Sequence, residues 1–570
     1  MKRRTLRSRT TALVPLAWLT VAGTLSAQTL NPMPLPGPYP VGCSNVEQDF
    51  SRIPAGELAD SYWRGQPLND DPRSVVDLLV DTTHAMVTTI TVPGDSDLYT
   101  RWVNSSVTYA SLVCYPTDPS NNRADYPLPQ RSDPVPRMQR GADAPIFPAG
   151  SGRWPVLVYS HGYGGSPLDG SYLAGIRGFA SHGYVVIAPF HTDLNFSAFG
   201  GAPDHTPPGY IPVWSEFVTM QAMRPLSLST ALDRLTSDAG FAPHIDLGRV
   251  GAFGISQGGA STMLLGGAEL NYALLTYASK PVTRDSRIKA SVGYIPYFGA
   301  IFGSVEIPTF GKDQQGARQA RVPYFAISGA DDPLAPLEVV EEVINILPTS
   351  RGLVSLAGTG HSLSPGSGED IFTWALTFYD AYIDKEADAR NSLASATSVS
   401  GGLDDTKRIF VDVADRTDVR STLEFYHDGL NHYFITADPG EAAALDDGSN
   451  IQGWRRTGFE FYTWPLGGPG NEACRFFGTP GIGPSSHFYS IDNGECEFTK
   501  TLPAWTYEGQ VFKAIPVGGG CAADQKPVTR LYNNGMGGQA NHRYVTDDAQ
   551  VTRMTAQGWI IEGPVFCVPR

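Results

Sequence analysis

Ser256 stands in Gly254-Ile255-Ser256-Gln257-Gly258, a G-x-S-x-G pentapeptide, and Asp332 and His361 follow it along the chain. A serine hydroxyl is a weak nucleophile until a base takes its proton, and that base needs a carboxylate to hold its tautomer and its charge. Ser, Asp and His supply these three parts, and the chemistry they run together is acyl transfer through a covalent acyl-serine. Alone, the pentapeptide is a weak signal in a chain with 61 Gly among 570 residues. Its context raises it. The apolar run Arg249 to Phe253 leads in as a strand and Gln257 to Leu270 leads out as a helix. Gly254 and Gly258 leave room for a serine on a sharp strand-to-helix turn.

The acid follows the strand expected at Val322 to Ser328, in Gly329-Ala330-Asp331-Asp332-Pro333. Adjacent residues point in different directions, so one of the two Asp reaches the base. His361, in Gly358-Thr359-Gly360-His361, is the one His between Asp332 and the C-terminal repeats described below. An acyl-transfer site also needs two N–H donors for the developing oxyanion. Gln257, directly after the serine, supplies one. Tyr163, in the loop Ser160-His161-Gly162-Tyr163-Gly164-Gly165, supplies the other. His161 reads as an organiser of that loop, and His191 and Asp193, at a later strand end, read as its hydrogen-bonding partners.

These residues need a frame. From Pro155 the chain alternates short apolar runs with longer amphipathic segments, the pattern of an α/β fold with a mostly parallel sheet flanked by helices. Strands are predicted at Pro155 to Ser160, Tyr184 to Phe190, Arg249 to Phe253, Ile288 to Ile295, Val322 to Ser328 and Gly352 to Ala357, with earlier ones at Val87 to Val92 and Val107 to Tyr115. Helices are predicted at Tyr172 to Ser181, Glu216 to Ser237, Gln257 to Leu270, Leu337 to Leu347 and Glu369 to Tyr382. Two connections, Asp193 to Ser215 and Pro296 to Arg321, are long and aromatic. Trp214, Tyr297 and Phe298 are candidates for the wall of an apolar substrate pocket, and the alternative is that such aromatics only pin the loops.

Residues 28–400 thus form the expected catalytic domain, 401–420 a linker, and 421–570 a second module. In that module His432-Tyr433-Phe434, His487-Phe488-Tyr489 and His542-Arg543-Tyr544 recur at intervals of 55 and 55, and Trp454, Trp505 and Trp559 at 51 and 54. A period this regular marks three repeats. Short strands with turn residues between them suit an all-β, β-trefoil-like closure, and the repeated His read as core or turn residues.

Composition bounds the rest. A net charge of -15 disfavours nucleic acid and anionic lipid. Lys2, Arg3, Arg4, Arg7 and Arg9 followed by the apolar stretch Thr11 to Leu25 read as a signal peptide, 1–27, which implies a secreted or periplasmic protein with no stable membrane insertion after cleavage. Six Cys in such a chain favour disulfides, here Cys43 with Cys114, Cys474 with Cys496 and Cys521 with Cys567 as the local pairing among fifteen. Neither HExxH nor zinc spacing occurs. Oligomeric state is not legible.

Taken together, His161-Gly162-Tyr163-Gly164-Gly165, Ala180-Ser181-His182-Gly183-Tyr184-Val185-Val186, Gly254-Ile255-Ser256-Gln257-Gly258, Asp332 and His361 resemble an α/β-hydrolase. The resemblance is to the dienelactone-hydrolase-like, platelet-activating-factor-acetylhydrolase-like and bacterial polyester hydrolase branch, over about Tyr109 to Tyr382. Dienelactone hydrolases proper use a Cys nucleophile, which this chain replaces with Ser256. Asp332 rather than Asp331 matches the family's acid loop in its distance from Gly329 and Pro336. The C-terminal module resembles the short aromatic repeat domains of secreted bacterial proteins. The resemblance implies a serine carboxylic-ester hydrolase without a metal or other cofactor, and the two long aromatic loops point to hydrophobic esters. The alternatives are a polyester depolymerase that grips a polymeric substrate through the C-terminal module, a catalytically silent binding protein, and a serine peptidase.

Overall fold

The computed structural model describes residues 28–66, 71–197, 213–302, 305–362, 366–403, 405–412, 419–447, 452–522, 525–536 and 540–569. The expected signal peptide and the loop aromatics Phe199 and Tyr210 lie outside them. Two compact units divide the chain after Val413.

The first unit is organised by a ten-stranded sheet. Its strands are β1 Val41–Cys43, β2 Met86–Thr91, β3 Ser106–Pro116, β4 Trp154–Ser160, β5 Val185–Pro189, β6 Ile245–Ile255, β7 Ile288–Tyr294, β8 Tyr324–Gly329, β9 Arg351–Leu356 and β10 Asp405–Val411. Across the sheet they run β10-β9-β8-β7-β6-β4-β5-β3-β1, with β2 also on β3. The six from β9 to β5 are mutually parallel, and both flanks are antiparallel. The unit's helices include α1 Gly170–Ser181, α2 Trp214–Ser237, α3 Gln257–Leu265, α4 Leu337–Ile346 and α5 Ser367–Tyr382.

A parallel strand covered on both faces must be apolar throughout, and from Pro155 to Ser160 every residue of β4 is buried. Its side chains alternate between two cores. Leu157 and Tyr159 pack with Phe179 of α1 and Phe372 and Tyr379 of α5, while Val156 and Val158 pack with Leu228 and Leu232 of α2. Helix α4 shows the same economy on one stripe: Val339, Val340, Val343 and Ile344 are buried, each worth about 1.5–3 kcal/mol. The chain leaves β4 to form β5 on one side and returns to form β6 on the other. The carboxyl ends of β4 and β6 therefore meet at a topological switch point, where α/β sheets open a crevice.

Three details differ from the sequence reading. Helix α3 ends at Leu265 instead of Leu270, because Gly266 and Gly267 follow and Gly267 takes φ +109°. Ala387–Ser395 is a helix. The stretch read as a linker contains β10, antiparallel to β9.

Cys43 and Cys114 sit opposite each other in the β1–β3 ladder and are joined. Cys474–Cys496 and Cys521–Cys567 join as well, a set consistent with an extracellular protein. Among the described residues no helix is long and apolar enough to cross a membrane.

The second unit is rich in β structure. It holds three successive three-stranded sheets, each with a helix before its last strand. The first spans Arg420–His427, His432–Thr436 and Trp454–Thr463, the second Asn471–Gly478, His487–Ser490 and Trp505–Ala514, and the third Gln525–Tyr532, His542–Val545 and Ile560–Pro569. The helices Pro439–Asp447, Asn493–Lys500 and Asp548–Ala556 are an addition to the all-β expectation. Equivalent residues link the sheets in a ring. The Tyr489 hydroxyl donates to Ile435 O, the Tyr544 hydroxyl to Tyr489 O, and Asn541 Nδ2 to Asn431 O. His432 is buried there and His542 largely so, and desolvation lowers their pKa values to about 3 and about 4.

Candidate active site

Ser256 sits between β6 and α3 with φ +53° and ψ -119°, a conformation a non-glycine residue adopts only under constraint. The constraint is close packing on both sides. A Cβ on Gly254 would lie 2.1 Å from Gly258 O, and one on Gly258 would lie 2.1 Å from Ser160 O. Neither position has room for any side chain. The backbone of the turn is tied down by Ser256 N–H to Tyr294 O, 3.0 Å, and by Gly259 N–H and Tyr297 N–H to Ser256 O, 2.8 and 3.0 Å.

The loops after β8 and β9 bring the acid and the base to this turn. They touch at Gly329, where a Cβ would lie 2.3 Å from Thr359 O, and Asp331 N–H donates to that same carbonyl at 3.0 Å. Ser256 Oγ is 2.8 Å from His361 Nε2, and Asp332 places Oδ2 at 2.7 Å and Oδ1 at 3.0 Å from His361 Nδ1. A carboxylate only accepts, so Nδ1–H donates to Asp332 and Nε2 is left to accept the Ser256 proton. The Asp332 side chain is wholly buried, and the neighbouring Asp331 is exposed. Ser256, Asp332 and His361 are thus brought together, and Asp331 is not.

Gln257 begins α3, so its N–H belongs to the unpaired first turn of a helix, where an anion is favoured. The loop after β4 lies beside the serine: a Cβ on Gly162 would be 3.7 Å from Ser256 Cβ and 2.5 Å from the Tyr172 hydroxyl. His161 Nδ1 donates to Gly162 O at 2.8 Å, and its Nε2 accepts His191 N–H at 3.4 Å. Burial, and then the nearby Arg224, holds the His161 pKa down to about 4, so it organises the loop as a neutral ring. His191 bonds Ser160 Oγ at 2.9 Å, and Asp193 accepts Gly164 N–H at 2.8 Å, so both act on the loop.

A cavity of about 410 Å³ opens over Ser256 and His361, walled by Tyr163, Tyr172, Phe217, Ile295, Tyr297 and Leu334 among others. Tyr297 is there as expected. Trp214 and Phe298 are not among the described residues that line it. Phe298 is fully buried against Phe310 and Tyr324, ring centroids 5.3 and 5.9 Å away, and Trp214 donates its indole N–H to Tyr272 O at 3.0 Å. Both are buried in packing contacts: Phe298 follows Tyr297 into the core, and Trp214, at the start of α2, sits against Tyr272 and Phe217. The sequence reading missed Phe217 and Leu334, the latter two residues beyond the acid. It also missed Arg224, a lone cation in the apolar stretch Met220 to Leu228.

With that geometry in view, the similarity to known proteins is informative. Residues 139–200 match the family model for platelet-activating factor acetylhydrolase, isoform II. The matched stretch contains β4, the 160–165 loop, α1, β5 and Asp193. It supports an α/β-hydrolase similar to platelet-activating factor acetylhydrolases, and a hydrolase activity of the lipase or esterase type. Residues 421–569 match a domain of unknown function, DUF5648. No curated protein matches the chain.

Proposed function

We propose that the chain is a secreted serine carboxylic-ester hydrolase that takes hydrophobic esters through an acyl-Ser256 intermediate. The observation that carries this reading is the chain of hydrogen bonds Asp332–His361–Ser256 at a turn of positive φ beside an apolar-walled cavity. His361 takes the Ser256 proton as Oγ attacks the carbonyl carbon, and Asp332 holds the imidazolium that forms. The oxyanion lies between the N–H groups of Gln257 and Tyr163. Collapse expels the alcohol with the proton from His361. A water molecule, deprotonated by His361, then attacks the acyl carbon, and His361 returns that proton to Ser256 Oγ as the carboxylic acid leaves. The esterase-type family match favours an ester over a peptide substrate.

Labelling by a fluorophosphonate and hydrolysis of soluble aryl esters test the reading. Both should occur with the purified protein and vanish in Ser256→Ala. An inert wild type would leave the catalytically silent binding protein as the better account.

The second unit favours one elaboration. Its three linked copies suit a trefoil-like module offering repeated weak sites to a polymeric ester, with residues 1–27 as the export leader that would bring the enzyme to such a substrate.

A further inference from the structure

Arg224, near the middle of α2, is 1% exposed, and its guanidinium is used on every side. Nε and Nη2 fork onto the equally buried Asp193 carboxylate at 2.9 and 2.5 Å. Nη1 donates to His161 O at 2.7 Å, and Nη2 donates to Gly162 O at 3.0 Å. Gly162 O also receives His161 Nδ1–H and, at 3.2 Å, Gly165 N–H. A charged residue this deep needs a reason, since desolvating the pair is costly unless its hydrogen bonds are complete.

We infer that Arg224 is a positioning residue for the oxyanion-binding peptide, an inference that rests on the ester-hydrolase reading above. The peptide bond between Gly162 and Tyr163 is trans, so its carbonyl and its N–H point in opposite directions. Holding Gly162 O toward the buried guanidinium sends Tyr163 N–H the other way, to the side where Gly162 and Tyr163 line the cavity over Ser256. A glycine-rich loop has little conformational preference of its own, and this peptide can flip. Flipping it would strand a guanidinium N–H in the interior and replace the oxyanion donor with a carbonyl oxygen. Arg224 therefore makes the productive orientation the one that satisfies the core. The positive charge on the carbonyl side also polarises the peptide and strengthens its N–H as a donor. Asp193 balances that charge and fixes the next turn through Gly164 N–H.

Removing Arg224 alone would leave the Asp193 charge buried, so the test uses two full-length variants. In Asp193→Asn/Arg224→Met both charges go together. In Arg224→Lys the charge against Asp193 stays, but a single ammonium cannot serve both carbonyls in a fixed fork. Loss of one oxyanion donor lowers kcat on the order of 10²-fold, so the double variant should lose about 100-fold in kcat and Arg224→Lys about 10-fold. KM for a soluble ester should stay within about 3-fold, because the donor acts on the transition state. Cooperative thermal unfolding identifies the variants that are folded, and either one suffices. A folded variant with wild-type kcat, or a loss that falls on KM, overturns the inference. Ser256→Ala in the same assay separates the two levels: residual turnover there sinks the ester-hydrolase reading, whereas a dead Ser256→Ala beside an unimpaired Arg224 variant sinks only the positioning role.

Discussion

Asp332 Oδ2 lies 2.7 Å from His361 Nδ1, and the same carboxylate is braced from behind by the N–H groups of Leu334 and Ala335, each 2.9 Å from Oδ1. Two backbone donors fix the plane of the carboxylate, so the acid is pre-aimed at the imidazole. Asp332→Asn keeps the shape but offers an amide N–H where Nδ1–H must be accepted, and should lower kcat by about 10⁴-fold through the wrong tautomer. Ser256→Ala and His361→Ala should each cost on the order of 10⁶-fold. Asp331→Asn should stay within a few-fold of wild type. A deeper loss in Asp331→Asn than in Asp332→Asn, with both proteins folded, would reverse the assignment of the acid.

The aromatic residues divide into two experiments. Phe217 lines the cavity over Ser256, and Phe298 is buried away from it. Phe217→Ala should change the ranking of aryl esters by acyl-chain length and, because Phe217 is buried as well, should also cost stability on the order of 3 kcal/mol. Phe298→Ala should leave the ranking alone and destabilise by about 3–5 kcal/mol, the usual loss for emptying a buried Phe site. Melting temperatures and kcat/KM across an acyl series measure both, and a shifted ranking in Phe298→Ala would return that residue to the pocket.

Much of this site was readable because its parts are chemically expensive. A glycine with a neighbouring carbonyl 2.1 Å from where its Cβ would be admits no substitute, so Gly254 and Gly258 mark the turn in the sequence itself. The same holds for β4 and β5, whose burial from Pro155 to Ser160 and from Val185 to Pro189 writes short, mostly apolar runs. Pocket walls carry no such mark. Phe217 and Phe298 are both aromatic and both buried, and only the direction of the backbone decides which ring also meets the cavity. Strand β10 was missed for a related reason: an edge strand has one covered side, and Arg408-Ile409-Phe410-Val411 is too short to show its alternation. Arg224 was visible as a cation among apolar neighbours, but its partners lie some 30 and 60 residues away and only the fold joins them.

Asp380 gives a pH-dependent prediction. It is partly buried on α5, and burial first, then Glu386 and Asp384, raises its pKa to about 7. A carboxyl that is easier to protonate in the folded chain than in the unfolded one favours folding below the unfolded value near 3.8. That benefit is lost as pH rises through about 7. Asp380→Asn, which cannot ionise, should therefore raise the melting temperature at pH 8 and leave it nearly unchanged at pH 4. An equal shift at both pH values would mean that the substitution acts through packing rather than charge.

The role of the second unit turns on where the chain is cut. A cut at Gly402, at the start of the expected linker, removes β10 from the edge of the sheet and with it Asp412, which accepts the Tyr382 hydroxyl at 2.7 Å and the Ser350 hydroxyl at 3.1 Å. Activity lost on that truncation would say nothing about substrate binding. Ending the chain at Val413 follows the division between the two compact units and keeps the ten-stranded sheet whole. If the three linked copies hold the enzyme on a polymer, three weak sites gain avidity on a repeating ligand and almost none on a single ester molecule. The shortened protein should then keep kcat/KM on a soluble aryl ester within a few-fold of the full chain. Its adsorption to a polyester film, and its rate of release of soluble products from that film, should fall by about 10-fold or more. Equal losses on the soluble ester and the film, together with a lower melting temperature, would instead make residues 414–570 a structural support for the hydrolase.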